Sequence, residues 1–302
     1  MLIDRLLTQL TSAGVIKANE GGAVRFECAS PELDRLCEAL ATAADERPIH
    51  TVHVDAFAIG VAPVTNGEYA RFVRETGYRP PAVDDLPLVA RAGGADREDQ
   101  FRAAGAAYTW KNAQAPPTRL NHPVTLVRWA DAAAYCRWLS QMVGRRIRLP
   151  TEAEWERAAR GGLERQPYPW GEGLDRDRAN FLSDPSLKND HGTTPCRTYA
   201  ANGYGLFDMA GNVWEWVSDW YDPDYYARSP QSNPTGPSDG QLRIVRGGGW
   251  LAADRAMLTC SHRHRVPPDT YSYGIGFRIV CENQSQTSEP GTKAPEAERG
   301  EP

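Results

Sequence analysis

The chain has 302 residues, 41% hydrophobic and 24% charged, a balance that excludes a wholly disordered polymer and leaves room for one large domain or two unequal ones. No run approaches the roughly 18 to 20 apolar residues of a bilayer crossing, and the opening MLIDRLLTQL carries Asp4 with no small-residue cleavage site behind it, so no membrane span and a cytoplasmic location are expected. The net charge is −5, and the segment from Glu282 to Pro302 supplies much of it through five acids against Lys293 and Arg299, so no basic excess points to nucleic acid.

The six cysteines, Cys28, Cys37, Cys136, Cys196, Cys260 and Cys281, are scattered without a CxxC pair, which reads as reduced thiols. The 27 glycines, 23 prolines and nine tryptophans break regular elements, so loops ordered by aromatic packing are expected.

In chain order, Leu2, Leu6, Leu7 and Leu10 form a helical stripe that Gly14 ends. Val24 to Cys28 alternates as a strand, and Ser30 with Pro31 opens a second helix carrying Leu33, Leu36 and Leu40. Residues 1–47 thus read as a small α-β-β-α module. It resembles the N-terminal docking domains of some modular peptide and polyketide synthases; an extension packed on the main domain is the equal alternative. Val52 and Val54 alternate as a strand. Thr65 and Glu68 make a capping box before Tyr69, Phe72 and Val73, with Gly77 as the stop. Residues 78–121 read as a long excursion without a core element. Trp129, Ala132, Cys136, Leu139 and Val143 repeat at helical spacing up to Gly144, and Thr151 with Glu154 makes a second capping box ahead of Trp155. Beyond Tyr168 turns and short strands are expected, ending at Gly276–Val280, and residues 282–302 are too polar to fold.

Several segments occur in a telling order: Pro63-Val64-Thr65-Asn66, His122-Pro123-Val124, Arg148-Leu149-Pro150-Thr151-Glu152, Tyr168-Pro169-Trp170-Gly171, Gly211-Asn212-Val213-Trp214-Glu215-Trp216, Arg246-Gly247-Gly248-Gly249-Trp250 and Gly276-Phe277-Arg278. Together they resemble the formylglycine-generating-enzyme, or sulfatase-modifying-factor, family over residues 48–281. The resemblance implies an α+β, loop-rich variant of the C-type-lectin fold.

It also implies chemistry. Asp208 and Glu215 would hold a structural Ca2+ by side chain, with the carbonyls of Met209, Gly211 and Val213; the loop is rich in oxygen donors, as a hard cation requires. A second family calcium site would begin at Asn180 and the Phe181 carbonyl, but Lys188 stands where an acid is expected and only Asp184 or Asp190 could replace it. The alternative for Asp208 and Glu215 is a solvated or capping role. The family's copper-binding cysteine pair falls on Ala252 and Met257, neither of which supplies a thiolate, so the copper route to formylglycine is not expected.

Nearby, Cys260, His262 and His264 would share one face of a strand and could together hold iron or copper; packed and hydrogen-bonded side chains are the plainer alternative. The ergothioneine-type branch, whose iron histidines lie on an extra helical domain, is not expected, because residues 1–47 contain no histidine. Trp250 and Arg265 are expected beside a substrate groove, whereas Trp214 and Trp216 read as core and Arg278 as a buttress.

The reading is an oxidative tailoring enzyme acting on a peptidyl or carrier-bound substrate in natural-product biosynthesis, with His262, His264, Arg265 and Trp250 as candidate catalytic residues. Other branches without the cysteines, such as the one that matures the pyoverdine chromophore, belong to such pathways, and a synthase could dock on residues 1–47. The alternative is a non-catalytic, lectin-like binding module.

Overall fold

Three helices begin and end where local chemistry dictates. In the computed structural model, which describes residues 44–83, 95–181, 192–252 and 254–282, α1 spans Asn66–Thr76. The Thr65 hydroxyl accepts from the Glu68 backbone N–H, and a Glu68 carboxylate oxygen accepts from the Thr65 N–H at 2.8 Å, a completed capping box. α2 spans Ala95–Gly105. α3 spans Trp129–Val143, and α4 spans Glu152–Arg160 behind a second completed box of Thr151 and Glu154. α1, α3 and α4 each close on a left-handed glycine: Gly77, Gly144 and Gly161.

The seven strands among the described residues are short: β1 Ala58–Ile59, β2 Ile147–Arg148, β3 Trp214–Trp220, β4 Arg243–Arg246, β5 His264–Val266, β6 Ile275–Phe277 and β7 Val280–Cys281. They make a three-stranded antiparallel sheet, β1-β7-β2, and a four-stranded sheet, β5-β4-β3-β6, in which only β3 and β6 run parallel. The architecture is α+β and loop-rich, as glycine, proline and tryptophan content demands.

The register of the four-stranded sheet sorts the interior into two sides. Trp216, Val245 and Phe277 are cross-strand partners and share one side, where they meet Tyr69, Phe72, Tyr135 and Trp138 from α1 and α3. Glu215, Val217, Ile244 and Arg246 face the other side, against Trp155, Ala158 and Ala159 of α4.

Three expectations change. The excursion over 78–121 contains α2, and its Trp110 and Ala115 join the main core, because Trp110 can both pack on Tyr69 and donate to Asn66 Oδ1. Val52 and Val54 form no regular strand: His53 makes a single bridge to Ser232, and the first strand lies at Ala58–Ile59. The closing strand divides at Arg278, whose fully buried guanidinium needs five donors satisfied, so β6 and β7 enter different sheets. The helix-hairpin-helix of the N-terminal module, the acids Asp184 and Asp190, and the tail beyond Glu282 lie outside the described residues.

Candidate functional site

β5 carries the candidate residues on opposite faces. His264 pairs with Val245 and Arg265 with Ile244, so the imidazole and the guanidinium point away from each other across the strand. The His264 ring lies 4.9 Å from the Trp214 indole, and the His262 ring follows at 6.5 Å from His264 with planes 15° apart. All three rings are partly exposed, which makes a short aromatic wall at the sheet edge. Burial, together with His262 and Arg265 nearby, pushes His264 down to about 4, so its imidazole is neutral near pH 7. The Nδ1 of His262 stands 3.6 Å from a carboxylate oxygen of Glu46, whose side chain is 1% exposed. Glu46 was invisible as a site residue from sequence, because nothing local links it to a position more than 200 residues away.

Other candidates fall elsewhere. Cys260 sits in the turn after the 3-10 helix Arg255–Leu258, so strand alternation does not extend back to it. It packs with Trp155 and Ile244, and burial raises its thiol to about 12. Trp250 is 7% exposed and clusters with Tyr108, Leu126 and Tyr271, its indole donating to the Tyr273 carbonyl at 3.3 Å. The expected convergence of Cys260 with the histidines on one strand face is therefore not formed. Trp214 packs against the main core, as expected, while its ring also meets His264, and Trp216 is fully buried core.

Iron or copper ligation can be tested against this arrangement. Two imidazoles on one metal must converge with bonds of about 2.0 Å, yet these rings run nearly parallel, and Cys260 belongs to another cluster. Among the described residues no three His, Cys, Asp or Glu side chains group as metal ligands. Among the described residues, His262, His264 and Cys260 do not fit a redox metal. Ala252 and Met257, at the expected thiolate positions, join the apolar cluster of Tyr168, Ala179, Phe181 and Leu258. Gly248 permits that packing: it has φ +72°, and a Cβ there would lie 2.8 Å from the Met257 carbonyl.

The calcium loop reads differently. Asp208 is buried, and burial, with Glu215 nearby, raises its carboxyl above the ordinary value despite a hydrogen bond from the Arg197 N–H at 2.9 Å. Asn212, fully buried, donates to Asp208 Oδ1 and accepts from the Thr194 N–H. Glu215 departs from a simple ligand role. Its two oxygens take Arg278 Nη2 at 2.7 Å and Nε at 2.6 Å, and Trp155 Nε1 donates to the second at 2.7 Å. A cation here would share Glu215 with Arg278. The donor chemistry of Asp208, Met209, Gly211 and Val213 still suits a hard ion, since Asp208 and Glu215 are both buried carboxylates and Arg278 forms its ion pair with Glu215.

The Asn180 segment of the second expected site abuts this loop. Its carbonyl accepts from the Asn212 N–H at 2.8 Å, its side chain donates to the Gly192 carbonyl, and a Cβ at Gly211 would lie 2.5 Å from its oxygen. Phe181 packs in the apolar cluster.

The sequence matches the family described as "Sulfatase-modifying factor enzyme 1-like domain" over residues 19–283. The chain belongs to the sulfatase-modifying-factor, or formylglycine-generating-enzyme, family. It is 38% identical to the formylglycine-generating enzyme of Streptomyces coelicolor over 273 residues, covering 80% of this chain and 82% of that one. It is 35% identical to a Bos taurus relative named inactive C-alpha-formylglycine-generating enzyme 2, covering 78% and 80% of the two chains. Among solved structures, PvdO from Pseudomonas aeruginosa superposes with a TM-score of 0.63 at 26% identity, over 81% of this chain and 87% of that one. The fold is thus that of the formylglycine-generating-enzyme family. In a member of this family, Ala252 and Met257 leave no thiolate at the expected copper positions.

Proposed function

We propose that this family member is a tailoring enzyme of natural-product biosynthesis that oxidises a peptidyl or carrier-bound substrate without the copper-thiolate pair. The observation that carries the reading is the His264 imidazole stacked 4.9 Å from Trp214 at a partly exposed sheet edge. A neutral imidazole there accepts a hydrogen bond from a substrate O–H or N–H group and so positions the substrate beside Trp214, and the two electrons and two protons lost in the oxidation would leave to molecular oxygen as hydrogen peroxide. Trp214 and His262 give that substrate a flat apolar wall, and the half-exposed Arg265 attracts a carboxylate or a peptide carbonyl beyond the strand.

Oxygen uptake by the full chain with candidate peptides tests this. Turnover that falls by about 100-fold or more in His264→Gln supports the positioning role of the imidazole, and no uptake with any peptidyl or carrier-bound candidate rejects the reading. The lack of three converging donors among the described residues favours a second reading, a non-catalytic binding module. That reading expects ligand affinity to survive His264→Gln.

Structural Ca2+ belongs to the same proposal. Asp208, with backbone oxygens of Met209, Gly211 and Val213, would hold it, and Glu215 would share it with Arg278. Calcium would then raise the melting temperature of the wild type and leave Asp208→Ala unmoved; identical melting with calcium and with chelator removes the site. Residues 1–47 as a synthase-docking element, and the cytoplasmic location, are part of the reading. Among the described residues no helix is long and apolar enough to cross a membrane.

A further inference from the structure

The three-residue turn Ala44–Glu46 clasps the edge strand β5 with two consecutive acids. Asp45 Oδ2 accepts from the Tyr221 hydroxyl at 2.8 Å and from Arg265 Nη1 at 3.3 Å. The Asp45 carbonyl accepts from Arg263 Nη1 at 2.9 Å. Glu46 turns to His262, 3.6 Å away.

Arg263, at the centre of the receiving groups, is held by residues outside this turn, and its Nη1 also donates to the Asp222 carbonyl at 3.3 Å. Arg263 is fixed by Glu152, which takes its Nε at 2.9 Å and its Nη2 at 3.1 Å, and by the Tyr226 ring 4.2 Å beneath its guanidinium. Arg265 lies 4.9 Å over the Tyr221 ring with its side chain 47% exposed. The cradle is thus built by the folded domain, and its occupant arrives from about 220 residues away.

We propose that Arg263, Arg265, Tyr221 and His262 form a recognition site for an acidic peptide carrying two adjacent carboxylates, and that Asp45-Glu46 is the chain's own occupant of that site. The ligand is a peptide rather than a free dicarboxylate, because Arg263 Nη1 reads a backbone carbonyl between the two acids' positions. One carboxylate meets a guanidinium together with a phenol, a charge-assisted pair, and the next meets an imidazole. Such a ligand would lie along β5, one strand residue from His264. The inference rests on the peptidyl-substrate reading above and names the chemical class of that substrate.

Calorimetry on the full chain tests it, with the blocked peptide acetyl-Ala-Asp-Glu-Ala-amide as probe and its Asn-Gln counterpart as control. An internal occupant present nine-tenths of the time lowers apparent affinity about tenfold, so Asp45→Asn/Glu46→Gln should bind the acidic peptide about tenfold more tightly than wild type. Adding Arg265→Gln should remove the gain, and the neutral peptide should show none. Equal affinity in wild type and the double variant, equal binding of the neutral peptide, or a gain that survives Arg265→Gln overturns the proposal. Should the double variant be unfolded by circular dichroism, Asp45→Asn alone is measured, with a gain of at least about threefold expected and none overturning the proposal. Binding is read under nitrogen, without turnover. Failure here leaves oxygen-dependent chemistry standing, whereas acidic-peptide binding with no oxygen uptake in the separate assay removes the catalysis and keeps the recognition site.

Discussion

The two sides of the four-stranded sheet solve opposite problems. On the α4 side, charge is buried and answered. Arg278 is tied to Glu215 and to the carbonyls of Gly60 and Phe207, and Arg246 reaches Glu156 and the Cys260 and Ser261 carbonyls. Arg263 holds Glu152, and Arg160 completes the set on Glu156. On the far side, the same strands present Trp216, Val245 and Phe277 to an apolar core, and at the edge Trp214, His264 and His262 keep partial contact with solvent. A network whose members each have several partners positions the strands rigidly. A ring stack held by few hydrogen bonds is free to meet a ligand.

Breaking the charged side should have the largest effect. Arg278→Met strands Glu215 among Trp155 and the backbone, and the expected loss is about 3–5 kcal/mol in denaturant unfolding. Adding Glu215→Gln should recover part of that loss, because the uncompensated charge rather than the missing contacts dominates. If the double variant is no better than the single, the network is not the reason this side is stable.

The two sides should also respond to pH with opposite sign. Burial, with Glu152 beside it, raises Asp219 to about 7. The protonated form is therefore favoured in the fold, and its stability contribution, complete below the unfolded value near 4, is lost as pH rises through 7. Asp219→Asn should accordingly be more stable than wild type at pH 8 by a few kcal/mol at most, with the difference vanishing near pH 4. His264 runs the other way. Its folded value of about 4 lies below the ordinary 6.5, so its contribution is present above 6.5 and is lost as pH falls through 4. His264→Phe keeps a ring against Trp214 and should abolish up to about 3 kcal/mol of acid sensitivity between pH 6.5 and 4. Thermal melts across that range check both variants, and parallel pH curves for variant and wild type would remove the assignment concerned.

The smallest expected effect concerns the helix that carries the charged side. Thr151→Ala removes the hydroxyl that accepts from the Glu154 N–H, and a loss of about 1 kcal/mol is expected. Because α4 bears Glu152 and Glu156, fraying there should also loosen Arg263 and Arg246, which hydrogen exchange at β4 and β5 would detect.

How much was legible depended on range. Capping boxes and closing glycines act within a few residues, so α1, α3 and α4 could be read with their termini. The excursion over 78–121 could not, because Trp110 earns its buried place through Tyr69 and Asn66, which no local periodicity announces. In the site, the loss of the cysteine pair at Ala252 and Met257 was readable directly. The separation of Cys260 from His262 was not, since it depends on whether the turn after Leu258 ends before or after Cys260. Asn212, fully buried and bonded to Asp208 and Thr194, carried only a weak signal as an asparagine beside a glycine in a turn.

The amino-acid order alone determined the family, the capped helices and the absence of the copper thiolates, because each rests on residue identity or on contacts within one or two helical turns. Tertiary structure decided which charges meet, that Glu215 belongs to Arg278, that Trp214 rather than Trp250 faces His264, and that Glu46 reaches His262. Those pairings join residues 50 to more than 200 positions apart, where loop connections and cross-strand register, rather than neighbours in the chain, set the distances.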